Sequence, residues 1–448
     1  MPGRARRQRV THRACVRHLV MSGPAHTHEV HEVIVIGGGP AGATAARQLA
    51  RQGVDVLVLD KATHPRFRIG ESFLPRTSKQ LEALGLGSKL EQIEYMPKLG
   101  VEFVFGHGGE PPKDFWFRDA FGGAKQPTFN IERAPFDRML LRAAGESGAT
   151  VREGASVRRI NRLEDGDVEV EVDGESLRAK YLIDASGQAT VVGRFLGSRR
   201  VLPDLRKIAY YAHFRGVQRR DGEEAGFPTI VMCREGWFWI IPIDRDRTSI
   251  GLVMSDEAAR TAGRPAGEML RWGIERCPVM RQRCLHAEPT DVAGVAADYS
   301  YRCRPFAGPG YFLVGDAATF IDPVFSTGVC LGMMAAEHAA NCTVALIRER
   351  ADARKTRREY IRFVESSSAM LFRIVRVFYR HSFRELLMQE KGPLSIHRAL
   401  IALLAGDVFP RPALALRWRV RLFEFFVRYN EWVRLVPRRA SFSLLESD

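Results

Sequence analysis

The residues whose types and spacing could do chemistry begin with Val33-Ile-Val-Ile-Gly-Gly-Gly-Pro-Ala-Gly42, an apolar run that breaks into glycine and reopens as a helical stretch from Ala43 to Gln52. Gly37, Gly39 and Gly42 fit G-x-G-x-x-G, with Pro40 and Ala41 between the last two glycines. One glycine allows the tight turn, one lets backbone N–H groups approach a pyrophosphate, and one lets helix pack close on strand. Unpaired N–H groups and the helix dipole favour negative charge there, so a dinucleotide is expected on the helix N-terminus. A second β-rich run, Val54-Asp-Val-Leu-Val-Leu-Asp60, ends on an acid placed to hold an adenosine ribose hydroxyl, with Lys61 next to it. Gly315-Asp316 follows the apolar Tyr311-Phe-Leu-Val and supplies an acid for ribityl hydroxyls, the second half of a flavin site. With a single G-x-G-x-x-G, no separate nicotinamide site is evident.

Other stretches gain meaning by occurring together. Arg133, which opens a helical pattern, and Asp184-Ala-Ser-Gly187 stand where two-domain flavin hydroxylase-type proteins place further FAD contacts, and here the sequence resembles that superfamily. Gly236-Trp237-Phe-Trp239-Ile-Ile-Pro242 matches the W-x-W-x-I-P signature of flavin-dependent halogenases. Phe320-Ile-Asp-Pro323-Val-Phe-Ser326-Thr-Gly328 matches their F-x-x-P-x-x-S-x-G, and Lys98, downstream of Gly70-Glu71-Ser72, takes the place of their essential lysine. The resemblance runs from about Val33 to Ile347. It is closest to the branch acting on phenols and pyrroles, including carrier-tethered ones, because Ile69-Gly-Glu-Ser72, Asp298-Tyr-Ser-Tyr301 and Gly315-Asp-Ala317 are typical there.

The resemblance implies FAD reduced to FADH2 by a separate flavin reductase, and O2 and chloride or bromide as co-substrates. The halide would rest on the N–H groups of Thr327 and Gly328, where a helix opens. Hypohalous acid would pass to Lys98, as a chloramine or as a hydrogen-bonded acid; desolvation suits an amine to either role. Trp237 and Trp239, at period two, share one strand face, and in the family they screen the flavin from substrate. Tryptophan halogenases carry a glutamate where Phe325 stands, which argues against free tryptophan. His213, Tyr211 and Glu102 are polar candidates in the substrate layer, though a satisfied structural role is commoner for such groups.

The elements that must position these residues read as an α/β chain. A discontinuous FAD-binding Rossmann-type domain over 29–100, 130–200 and 295–350 is expected to pack on an antiparallel-sheet substrate domain over 101–129 and 201–294. Met96 to Phe105 reads as one strand, Arg133 to Gly148 as a helix, and Asp165-Gly166 and Asp173-Gly174 as hairpin turns. The remainder, 351–448, is a C-terminal helical region. Its Tyr360, Phe363, Val364, Leu371, Ile374, Val375 and Phe378 form an apolar face expected to pack on the protein's own core.

The 448 residues are 45% hydrophobic and 27% charged, an ordinary globular composition. The apolar stretch Gly328 to Ile347 is interrupted by Glu337, His338 and Asn341, so it reads as a core helix rather than a span. The seven cysteines lack C-x-x-C spacing, which points to a reduced, cytoplasmic protein with no metal. Part of the net charge of +15 lies in an arginine-rich segment, 1–28, read as a disordered leader or the result of a start upstream of Met21. The rest suits an acidic acyl carrier protein as partner. Nucleic acid is not expected, because no recognition motif accompanies the charge. A basic amphipathic helix lying on a membrane is the minor alternative. The competing functions are a single-component aromatic hydroxylase using NAD(P)H and a flavin-binding protein without catalysis.

Overall fold

The computed structural model describes residues 30–122, 126–297, 300–389, 393–407 and 412–446. The leader and Asp298-Tyr299 lie outside these residues. The strand Val30–Ile36, buried from Val33 onward, forms the middle of a parallel sheet, flanked by Val56–Asp60 and Thr150–Glu153 on one side and by Glu175–Asp184 and Tyr311–Leu313 on the other. Parallel strands buried on both faces need continuous apolar sequence, and Val56 to Asp60 are all buried. A meander, Val157–Glu164 and Asp167–Val172, leads into Glu175–Asp184 through the two expected turns. Asp173 and Gly174 both take the positive φ that a tight hairpin requires.

The helices Pro40–Ala50 and Gly328–Ile347 cross closely beside the first sheet strand. A Cβ on Gly315 would lie 3.2 Å from the Ala41 Cβ and 3.6 Å from the Gly332 Cα, so small residues set that crossing. Gly328–Ile347 is the one described helix long and apolar enough to cross a membrane, and most of it is buried inside the protein.

The second sheet runs Glu288–Pro289, Lys207–Arg215, Thr248–Ser255, Gly236–Pro242, Thr229–Met232, Gly100–Phe105, Lys113–Trp116. Its pairings are antiparallel except one: Gly100–Phe105 lies parallel to Thr229–Met232. Gly100–Phe105 arrives from Met96–Lys98, a strand of another sheet, rather than through a hairpin, and a parallel pairing is the form such a crossover takes.

The expected strand Met96 to Phe105 is two strands in two sheets. Met96–Lys98 pairs with Thr128–Asn130, and Gly100–Phe105 joins the large sheet. The chain changes sheet at Leu99-Gly100, where a Cβ on Gly100 would strike the Phe115 carbonyl oxygen and the Phe227 ring, each at 2.5 Å.

Alternation then divides the large sheet. Phe238, Ile240, Val231, Leu252 and Met254 face short helices, including Met269–Arg276. Trp237, Trp239, Ile230 and Met232 face the C-terminal helices Ala353–Phe378, His381–Leu387, Ile396–Leu404 and Leu414–Trp432. Of the face expected on the first of these helices, Tyr360, Val364, Leu371, Ile374, Val375 and Phe378 are buried.

Candidate active site

The glycine loop is shaped by what each missing side chain would meet. A Cβ on Gly37, whose φ is +102°, would lie 2.4 Å from the Ala185 carbonyl oxygen, and one on Gly42 would lie 1.8 Å from the Gly37 carbonyl oxygen. Gly39 differs, because its added Cβ would meet only the end of the Arg66 side chain, at 3.3 Å. One glycine side is therefore open, with a guanidinium beside it and no backbone opposing it. Pro40 and Ala41 start the helix behind this opening, and no side chain caps its N-terminus. The arrangement fits a pyrophosphate.

Asp60 is engaged by the protein itself. Its carboxylate accepts from the N–H groups of Gly38 (2.7 Å) and Ala62 (2.8 Å) and meets His64 Nε2 at 3.2 Å. Burial works to raise its pKa, and the hydrogen bonds from His64, Ala62 and Gly38 outweigh it, holding the group at about 2. Lys61 is exposed. Asp184 is fully buried and accepts from the N–H groups of Ser186 and Val192. It thus fixes the Ala185-Ser-Gly187 turn against which Gly37 packs.

Arg133 forks onto Asp137 (2.8 and 3.0 Å) and donates to the carbonyl of Ile69 at 2.9 Å. Asp137, with no solvent exposure, also takes Arg66 at 3.2 Å. Two guanidiniums on one buried carboxylate leave net positive charge beside the open face of Gly39. Asp316 lies in the same field. Burial pushes it up to about 6, against the pull of Arg133 and Arg68. A carboxylate so poorly solvated is suited to accept hydroxyl hydrogen bonds.

The segment from Arg66 to Pro75 then connects the cradle to the rest. Glu71, 1% exposed, meets His213 Nε2 at 2.6 Å, and Asp291 lies on the other ring nitrogen at 3.6 Å. Burial would lower the His213 pKa, but Glu71, Asp291 and Glu132 raise it above its ordinary value. Ser72 Oγ accepts from Lys98 Nζ at 2.9 Å, and the Phe73 carbonyl accepts from it at 3.0 Å. Lys98 is 3% exposed, its Nζ lies 5.4 Å from the Phe117 ring centre, and burial pulls its pKa down to about 7. The neutral amine is therefore accessible near neutral pH.

An aromatic wall continues from there. Phe67 packs on His213 and Tyr211, Tyr211 stacks on Trp239, and Trp239 meets Trp237 at 5.9 Å between ring centres. Trp239 donates to Ser249 Oγ and Trp237 to the hydroxyl of Tyr379, which bonds Asp322 in turn. Asp322 Oδ1 accepts from the N–H of Val324 and so caps the short turn Pro323–Phe325, after which Ser326 takes a left-handed conformation. Thr327 is buried at the N-cap of Gly328–Ile347 but makes no side-chain capping bond, and Gly328 is exposed with nothing within 4 Å of an added Cβ. This helix end offers N–H groups to an anion. A continuous run of contacts thus joins Lys98, Ser72, Glu71, His213, Phe67, Tyr211, Trp239, Trp237, Tyr379 and Asp322.

Three participants belong to no motif legible in the sequence: Arg66, Asp137 and Tyr379. The Arg133–Asp137 pair carried a readable signal, an opposite charge four residues on along one helix face. Tyr379 carried none. Glu102, a substrate-layer candidate, is held by Arg220, Arg283 and Thr229 in a buried structural network. Phe325 is buried and packs edge-on to Phe378.

Tyr379→Phe would leave the Trp237 N–H and one Asp322 oxygen without this partner, beside the Lys207 ammonium. The expected cost is about 1–3 kcal/mol of unfolding free energy, read as a lower urea midpoint. An unchanged midpoint would show that the link adds nothing.

Comparison with known proteins gives three consistent findings. Residues 30–358 match the family described as FAD binding domain. A tryptophan 2-halogenase of Chondromyces crocatus is 33% identical over 79% of this chain and 69% of its own length. A 1H-pyrrole-2-carbonyl-(peptidyl-carrier protein) brominase of Pseudoalteromonas luteoviolacea (strain 2ta16) is 31% identical over 69% of this chain and 76% of its own. Among solved structures, the flavin-dependent brominase Bmp2 superposes with a TM-score of 0.79 at 27% identity, covering 90% of this chain and all (100%) of that one.

Proposed function

As this chain belongs to the flavin-dependent halogenases and is an enzyme built on an FAD-binding domain, we propose that it chlorinates or brominates an electron-rich aromatic ring, phenolic or pyrrolic, in a secondary-metabolite pathway. The observation that carries this reading is Lys98: an amine sealed from water, brought to about 7 by burial, and held by Ser72 and the Phe73 carbonyl. An ordinary structural lysine has no reason to bear that desolvation.

The cradle fits FAD, with Gly37, Gly39, Pro40, Ala41 and Gly42 at the pyrophosphate and Asp60 and Lys61 at the adenosine end. Glu71, Ser72, Arg133, Asp184, Gly315, Asp316, Pro323 and Gly328 surround the remainder. When bound and reduced by a separate flavin reductase, the cofactor supplies the electrons with which O2 and a halide give water and hypohalous acid. The N–H groups of Thr327 and Gly328 hold the halide. Lys98, as the neutral amine, accepts the halogen from hypohalous acid with loss of water and passes it to the ring, which loses a proton. Trp237 and Trp239, fixed by Tyr379 and Ser249, would stand between the substrate and the bound flavin and keep the two apart.

The relatives' names give the ring as an indole in one case and a carrier-bound pyrrole in the other. With Phe325 buried against Phe378, position 325 offers no carboxylate to activate an indole, which favours rings that activate themselves, phenol and pyrrole. An acyl carrier protein is a candidate partner, and the cytoplasm is the proposed compartment.

The test is mass spectrometry of products from reduced FAD, O2 and chloride or bromide with free phenols, tryptophan and pyrrolyl carriers. The expected outcome is a halogenated phenol or pyrrole. Oxygenated product that forms without halide would replace this reading with a hydroxylase.

A further inference from the structure

The last long helix, Leu414–Trp432, has two apolar faces. The inner one, Leu416, Val420, Phe423 and Val427, is buried against the core. The outer one carries Leu414, Trp418, Phe425, Tyr429 and Trp432, spaced by four, seven, four and three residues and therefore aligned along one side of the helix. Their exposure is far from marginal: 42% for Trp418, 56% for Phe425 and 88% for Trp432. The stripe continues into exposed Val433 and Leu435.

These rings are held outward rather than loosely placed. Arg419 lies between Trp418 (4.3 Å) and Phe121 (4.2 Å), and Phe425 stacks on Tyr429 at 5.6 Å.

The charge around the stripe is of one sign. Arg417, Arg421 and Arg428 alternate with the rings and are exposed, and Arg434 and Arg438 come after them. The two acids of the helix are committed, Glu424 to Arg373 and Glu431 to Arg380. A second copy laid on this face would bring arginine against arginine. The residues of this face are the interfacial set: tryptophan and tyrosine for the headgroup level, leucine and phenylalanine below it, arginine for phosphate.

We infer that this helix face seats the enzyme on an anionic lipid surface. A cavity of about 370 Å³ opens beside it, lined by Arg428 and Glu424 of the same helix and by Arg376 and Tyr379. Tyr379 bonds Trp237, so the cavity wall meets the aromatic wall.

The experiment is co-sedimentation of the FAD-loaded full chain with vesicles of phosphatidylcholine alone and of phosphatidylcholine with phosphatidylglycerol. Wild type is expected to pellet with the anionic vesicles only and to be released by salt. Trp418→Gln/Phe425→Gln/Trp432→Gln and Arg417→Gln/Arg421→Gln/Arg428→Gln should each lower partitioning at least about tenfold, with unchanged circular dichroism and flavin content. Should a triple variant misfold, the single change Trp432→Gln, at an 88% exposed position, serves in its place with a smaller loss. No pelleting, or equal pelleting by the variants, overturns the inference. So does a wild-type dimer that the aromatic variant dissolves, or an acidic protein partner whose binding needs the same rings while vesicles do not bind.

Discussion

Lys98→Met is expected to abolish halogenation and at the same time raise the stability of the protein. The side chain is 3% exposed, so methionine fills its volume without a charge. The activity loss should be at least about a hundredfold, the scale of removing a positioned catalytic group. Flavin content and halide-dependent formation of hypohalous acid should persist, because in the proposed sequence Lys98 acts after that step. The stability gain comes from the depressed pKa. Holding a lysine at about 7 rather than 10.5 costs about 5 kcal/mol when both folded and unfolded chains are protonated.

The cost is complete below pH 7. Between pH 7 and 10.5 the unfolded chain binds more protons than the folded one, so wild-type stability rises with pH and the cost fades. Losing the donor to Ser72 and the Phe73 carbonyl offsets part of the gain, which leaves about 1–3 kcal/mol near pH 6. Thermal melts of wild type and variant at pH 6 and pH 10 check this directly. A variant less stable at pH 6 than wild type would mean that Lys98 is stabilised by its partners and is an ordinary structural group. The halogen-transfer rate of wild type should rise through pH 7 as the neutral amine forms. A rate that falls there would assign the work to the ammonium as a hydrogen-bond donor to hypohalous acid.

Gly42→Ala and Gly39→Ala are expected to fail in different ways. The Gly42 methyl would lie 1.8 Å from the Gly37 carbonyl oxygen and 2.9 Å from its carbon, both rigid backbone. Strand and helix must move apart, at a cost of about 3 kcal/mol, and the protein should be isolated with little flavin. The Gly39 methyl would meet only the Arg66 guanidinium, at 3.3 Å, which can swing aside. That variant should melt like the wild type yet lose flavin, because the methyl projects onto the open face proposed for the pyrophosphate. The ratio of flavin to protein absorbance, read with the melting temperature, separates the two. Equal flavin content in Gly39→Ala and wild type would remove the loop from the cofactor site.

Much of the nucleotide half was legible in the order of residues alone. A buried parallel strand must be apolar along its length, a left-handed turn selects glycine, and a helix N-terminus is marked by the residues of its first turns. Each of these is a constraint between near neighbours, so Val33 to Gly42 announced its strand, turn and helix. The same locality explains the two hairpin turns and the helix opening at Gly328. The resemblance extended this to Trp237, Trp239 and Lys98 by residue type.

Chain order did not decide the environment of those residues. Lys98 is an ordinary lysine until Leu99-Gly100 turns the chain from one sheet to another and Ser72 and Phe117 close over it. Trp237 lies 142 residues from Tyr379, and no periodicity links them. Asp137 holds Arg66 from 71 residues away. Burial and long-range pairing come from the packing of whole layers, and these shifted an amine toward neutrality and tied the turn after Asp322 to Trp237. Sequence by itself determined the cradle and the kinds of groups present; tertiary structure decided which of them are dry, which are paired and which stand together, because desolvation and contact depend on every element at once.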